Sequence, residues 1–214
     1  MKKIGILFFA LFTGLMMNAQ SSEKAQALLD EVSAKVNGYD NILIEFKYSL
    51  NNPDANVQQE TRGDVSLEGE KYVLNIMGTT RIFDGEKIYT IIPEDQEINI
   101  STYNPSDDQE ITPSRMLTFY TKGYNYEMDI VQDVRGRKIQ YVKLTPKDSN
   151  AEVKDILLGI DQQTKNIYNL IQTQDNGTRI TITVKSFKTN QPLPDSLFKF
   201  QENRYSDYYI NRLD

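Results

Sequence analysis

From Asn41 onward the chain is written in steps of two. Ile42, Ile44, Phe46, Tyr48 and Leu50 alternate with Leu43, Glu45, Lys47 and Ser49, the period of a strand with one face buried. The same step recurs in Tyr72, Leu74 and Ile76, in Tyr89 and Ile91, in Ile98 and Ile100, in Ile156 and Leu158, and in Ile180, Ile182 and Val184. Turn chemistry stands between the runs. Asp84-Gly85 separates residues 80–83 from 87–92, and Asn176-Gly177 separates 167–173 from 178–187; both dipeptides accept positive φ and close tight hairpins. Pro93-Glu94-Asp95, Arg135-Gly136 and the stretches 146–150 and 161–165 mark further turns. The runs add up to roughly eleven or twelve strands, a pattern that predicts a barrel or a strongly curved sheet.

Helical spacing appears in two places only. Ala25, Leu28, Leu29, Val32 and Val36 predict a helix over 22–37, with Ser22 as cap, Glu23 in the first turn and Gly38 as its end. Later, a polar loop over 105–110 leads to Thr112 at a cap position and Pro113 at the first helical position. Met116, Leu117, Phe119 and Tyr120 follow before Gly123, apolar nearly all round, so this short helix must lie against the sheet. There is no internal repeat at a fixed period and no sign of a second domain.

The first twenty residues read as an address. Lys2 and Lys3 precede an uncharged run from 4 to 17, and Asn18-Ala19-Gln20-Ser21-Ser22 turns small and polar, the order of a secretory signal peptide. A spanning helix needs roughly 20 apolar residues and this run is shorter. Cleavage is expected between Ala19 and Ser22, leaving residues 21–214 as one domain. Loss of Lys2 and Lys3 takes the formal charge from −6 to −8. A lipoprotein signal needs a Cys at the cut and none is present, so the mature chain is expected to be soluble and periplasmic. Asn99-Ile100-Ser101 and Asn176-Gly177-Thr178 read as strand and turn rather than glycan sites.

Composition narrows the chemistry. The chain has 214 residues, 24 Lys+Arg against 30 Asp+Glu, and no Cys, His or Trp. Missing Cys and His exclude disulfides, thiol nucleophiles, Ser–His–Asp triads and the common zinc sites. The acidic balance argues against nucleic acid, which asks for a basic face. Glu94-Asp95 and Asp107-Asp108 read as solvated turn residues, Asp129 and Asp133 lack calcium-loop spacing, and Ser114 and Lys122 are too weakly placed for a Ser–Lys pair. No Gly-rich phosphate loop occurs. No cofactor or metal is expected, and no enzyme.

Several stretches together resemble the outer-membrane lipoprotein carrier family, LolA. They are the helix-to-strand run 27–48; Gln59-Glu60-Thr61-Arg62-Gly63-Asp64-Val65 leading into Lys71-Tyr72-Val73-Leu74; Phe83-Asp84-Gly85-Glu86-Lys87-Ile88-Tyr89 with Pro93; Val142-Lys143-Leu144-Thr145-Pro146-Lys147; and Leu197-Phe198-Lys199-Phe200. The resemblance implies a mainly β fold with α: an open, incomplete antiparallel β-barrel of about eleven strands, with a short helical lid over a hydrophobic cavity. It also implies a chaperone that takes acylated lipoproteins from an inner-membrane ABC transporter and passes them to an outer-membrane receptor where one exists. Two stretches depart from the family. The lid-latching Arg before the third strand is absent, since that stretch reads Glu68-Gly69-Glu70-Lys71; Arg62 or Lys71 are the substitutes at hand. After Phe200 the chain runs to Tyr205-Ser206-Asp207-Tyr208-Tyr209-Ile210, an added strand or a disordered tail.

The expected acyl-chain lining is Phe46, Tyr48, Leu74, Ile76, Tyr89, Ile91, Leu158 and Ile182 from strands, with Met116, Phe119 and Tyr120 from the lid. Periodicity leaves open which parity faces inward, because a shift of one residue turns every strand side chain over. For each of these residues the plain alternative is an ordinary packed core. The chain is expected to act as a monomer. Two other functions compete with that of a carrier: a periplasmic lipid-sensing or protein-interaction module on the same fold, and a hydrolase built on facing carboxylates.

Overall fold

The computed structural model describes residues 4–104 and 112–213, with side chains from residue 20 onward. The 105–110 loop with Asp107-Asp108 lies outside the described residues. Twelve strands follow a long helix: β1 (Ile42–Asn52), β2 (Val57–Glu68), β3 (Lys71–Ile76), β4 (Thr79–Phe83), β5 (Lys87–Ile92), β6 (Glu97–Thr102), β7 (Tyr124–Val134), β8 (Arg137–Pro146), β9 (Val153–Asp161), β10 (Ile167–Gln174), β11 (Arg179–Thr189) and β12 (Tyr209–Arg212). The helices are α1 (Ile4–Asn37) and α2 (Pro113–Met116). Among the described residues the hydrogen-bonded order is β12-β6-β5-β4-β3-β2-β1-β11-β10-β9-β8-β7, so β12 and β7 are free ends. The sheet is open and not a closed barrel. It exceeds the expected eleven strands because the tail after Tyr205 contributes β12, which pairs with β6 in parallel rather than antiparallel.

Contacts divide the chain into two compact units, residues 1–36, 51–57 and 120–181, and residues 37–50, 58–119 and 182–214.

In the first unit β7, β8, β9 and β10 form an antiparallel meander. Val142, Leu144, Ile156, Leu158 and Ile160 are buried on one face, with Leu170 opposite Leu158. A bulge between Met128 and Val131 shifts the β7 register by one residue, which places Tyr126 and Met128 opposite Leu144 and Val142 on that face. The buried Gln140 holds the bulge by donating to the carbonyl oxygen of Asp129 at 2.8 Å. Helix α1 starts at Ile4, not at the expected Ser22; nothing from 4 to 21 is a proline, so Ser22 lies inside the helix and caps nothing. Its buried stripe is Ala25, Leu29 and Val32. Polar contacts pin it along its length: Ser21 Oγ accepts from the Met128 N–H at 3.1 Å, Glu31 pairs with Lys165 at 3.1 Å, and Lys35 donates to Thr164 and Asn166.

In the second unit β2 to β6 form another meander. Each register sum from β2 to β6 is odd, so inward parity flips from strand to strand. Leu67, Tyr72, Phe83 and Ile88 pair successively across β2 to β5 and are all buried. The opposite face carries Ile82, Ile91, Ile98 and Ile100, covered by Phe200, Tyr205, Tyr208 and Ile210 from the tail. That tail stacks ring on ring, Tyr89 to Phe200 at 4.6 Å and Phe200 to Tyr205 at 5.5 Å. Asp84-Gly85 closes the β4–β5 hairpin as expected, with Asp84 Oδ1 accepting from the Glu86 and Lys87 N–H groups. The β3–β4 turn, Met77-Gly78, carries no sequence signal at its first position; Met77 is left-handed at φ 52 and largely exposed.

Candidate functional site

The second unit carries an apolar face that its own packing covers only in part. Phe46 reaches it from β1 because Gly63 on β2 leaves room for the ring: a Cβ there would meet Phe46 Cζ at 2.6 Å. By strand alternation Tyr48 shares the Phe46 side. Val65 and Leu67 follow on β2, then Tyr72, Leu74 and Ile76 on β3, Arg81 and Phe83 on β4, and Ile88 on β5. Burial is graded along the face. Leu67, Tyr72, Phe83 and Ile88 are closed to solvent, whereas Leu74, Ile76 and Arg81 stay half-exposed.

Helix α2 packs against β3, the strand that carries Tyr72 and Leu74. Its start is as the sequence predicts: Thr112 is the cap and accepts from the Arg115 N–H, and Pro113 opens the helix. The Ser114 hydroxyl donates to the Glu70 carbonyl oxygen, which ties the helix to the β2–β3 turn. After α2 the chain makes a further single turn at Phe119–Thr121. Met116 is 36% exposed and Phe119 half-buried, so the segment presents apolar side chains that its own packing does not use up.

The structure divides the expected lining. Phe46, Tyr48, Leu74 and Ile76 share the apolar face. Tyr89 and Ile91 are paired with Ile82 and Thr80, Tyr89 also with Ile100, and point to the other face beneath the tail. Their strand repeats the same period, but parity between strands is set by turn length, which the two-residue step does not encode. The Tyr89 hydroxyl donates to Asp84 at 2.9 Å, and burial together with that bond pushes its pKa up to about 12. Ile182 is half-buried on β11. Leu158 and Tyr120 belong to the first unit and are fully buried there; burial and then the charge of Asp30 push the Tyr120 phenol up.

Tyr72 and Arg81 lie on the same face and are absent from the expected lining. Tyr72 is fully buried, its ring lies 5.7 Å from Phe83, and among the described residues its hydroxyl has no hydrogen-bond partner. Leaving such a group unpaired costs about 1–3 kcal/mol. Burial raises its pKa, with the Arg81 charge acting against that rise, so at neutral pH the group is an O–H donor.

A cleft of about 1020 Å³ also opens in the second unit. Its wall includes the polar row Asp64, Asn75 and Thr80, which are hydrogen-bonded in sequence, and Lys47 paired with Glu60 at 2.6 Å. By register that row faces away from Leu74. Among the described residues no group of three carboxylates is placed to hold a metal ion, and Glu94 and Asp95 are exposed turn residues.

The open twelve-strand sheet can now be set beside known proteins. The profile of the family described as outer membrane lipoprotein carrier protein LolA matches residues 37–201. The chain belongs to that family. Members of the LolA family are carrier and binding proteins. An uncharacterized conserved protein from Thermus thermophilus superposes with a TM-score of 0.59 at 10% identity, over 88% of this chain and 99% of that one. LprF from Mycobacterium bovis gives 0.51 at 15% identity, over 82% and 98%. A LolA superfamily protein from Nitrosomonas europaea gives 0.45 at 14% identity, over 84% and 98%. At these identities the Thermus thermophilus and LprF superpositions speak to the fold alone. A surface layer protein of Brevibacillus choshinensis is 28% identical over 139 residues, 61% of this chain; the chain spans only 12% of that relative's length.

Proposed function

We infer that this LolA-family chain is a periplasmic carrier: it shields lipoprotein acyl chains on the apolar face of its open sheet and ferries them from the inner to the outer membrane. The observation that carries the reading is the graded face of the second unit, closed at Tyr72 and Phe83 and still half-exposed at Leu74 and Ile76. Burial contributes about 0.8 kcal/mol per methylene, so a chain of about 16 carbons represents roughly 12 kcal/mol gross. No lipoprotein leaves a membrane for water without such a surface. The carrier must also release its cargo, and the short helix that packs on β3 is the element placed to open over that face. Segment 113–119 is therefore assigned as the lid, with Met116 and Phe119 contacting cargo beside Phe46, Tyr48, Leu74 and Ile76. The signal peptide delivers the chain to the periplasm, an ABC transporter of the inner membrane loads it, and an outer-membrane receptor, where the cell has one, unloads it.

Incubating the purified protein with spheroplasts tests the reading. Acylated lipoproteins are expected in the soluble fraction bound to it in one-to-one complex. Release of no lipoprotein, with tight binding to a single protein instead, overturns it in favour of an interaction module. Phe119→Glu should keep the fold and lower retention of cargo; if that variant unfolds, Phe119 is core and the lid assignment fails.

A further inference from the structure

Tyr72 is an odd choice for the place it occupies. Its ring packs between Leu67 and Phe83 by register, a job that phenylalanine does without burying a polar group. The hydroxyl finds no acceptor among the described residues although the side chain is fully closed to water. One rung along the same face, Leu74 stands opposite Arg81, whose charge is felt at the phenol. Two features therefore meet in an otherwise apolar surface: an O–H donor, and a positive field that favours an oxygen acceptor. An acyl chain has its acceptor in one place, the carbonyl oxygen at its head.

We propose that the Tyr72 hydroxyl donates a hydrogen bond to the ester carbonyl oxygen of a bound acyl chain, making Tyr72 the residue that registers the head of the cargo. This rests on the carrier reading and refines it: the tail is taken by Phe46, Leu74 and Ile76 without regard to chemistry, while Tyr72 distinguishes an ester from a plain hydrocarbon. Tyr72 is closed to water, so the bond forms when the face opens to admit the acyl chain. In the empty protein the donor waits unpaired, and its satisfaction is part of what drives loading.

The test uses titration calorimetry on the mature protein with three probes of one chain length: a monoacylglycerol, its alkyl-ether analogue and the free fatty acid. Wild type should bind the ester about tenfold more tightly than the ether. Tyr72→Phe should bind both with the affinity wild type shows for the ether. Equal affinity of wild type for ester and ether overturns the proposal and leaves the carrier reading intact, and so does a preference that survives in Tyr72→Phe. Tighter binding of the free acid than of the ester overturns the ester assignment in favour of a carboxylate. Failure of wild type to bind any of the three removes the carrier reading and this proposal together. The variant without ligand should be at least as stable to urea as wild type; a clear loss of stability means the hydroxyl has an internal partner and sinks the idea.

Discussion

A methyl group at Gly63 would sit 2.6 Å from Cζ of Phe46 and 2.7 Å from the Asn75 carbonyl oxygen. Neither can withdraw freely, since one is a packed ring and the other is backbone. Gly63→Ala is expected to cost about 1–3 kcal/mol in urea unfolding and to push Phe46 off the apolar face. The sequence marks Gly63 only as a glycine inside a strand; that a ring from β1 lies over it is a tertiary fact. Asp161 allows a pH prediction. Burial by itself would raise its pKa, but the Thr164 N–H, the Arg137 guanidinium and the Gln163 N–H outweigh it and hold the carboxyl below the usual range. A lowered folded-state pKa means stability that is present above about pH 4 and lost as pH falls toward that lowered value. Asp161→Asn should therefore cost about 1–3 kcal/mol at pH 7. Its deficit should shrink on acidification, which chemical unfolding at several pH values will show.

At the scale of elements, hairpins with Asp-Gly or Asn-Gly were legible because those residues accept positive φ, and the cap at Thr112 was legible because its chemistry is local. Met77-Gly78 was not, since methionine carries no turn signal. Thr112→Ala should loosen α2 by about 1 kcal/mol, seen as faster amide exchange over 113–119 with the sheet unchanged. The tail is the second element-scale test. Phe200 lies stacked between Tyr89 and Tyr205 over the cluster of Ile82, Ile91, Ile98 and Ile100. Phe200→Ala should cost about 2–3 kcal/mol, toward the low end for an aromatic because the ring is partly exposed, and should release β12 from β6 before the rest unfolds. From composition, a disordered tail was as good a reading of 201–214 as an added strand; what orders the tail is an aromatic stack whose members are far apart in the chain.

For the molecule as a whole, the exported chain is expected to begin at Gln20, Ser21 or Ser22, and intact mass of the periplasmic protein checks it; retention of Lys2 and Lys3 removes the leader reading. A monoacylglycerol at about 100 times its Kd should add about 2.7 kcal/mol to the unfolding free energy. The sequence by itself determined the fold class, one helix ahead of a long run of strands, because the two-residue step and the turn dipeptides are properties of neighbours along the chain. It also determined the poverty of the chemistry, since residues that are absent are absent in any fold. Only the tertiary structure decided which side chains share a face. Each tight turn reverses parity, so Leu74 and Tyr89 carry the same period and look opposite ways, and the unpaired hydroxyl of Tyr72 exists only once three strands and their registers have closed around it.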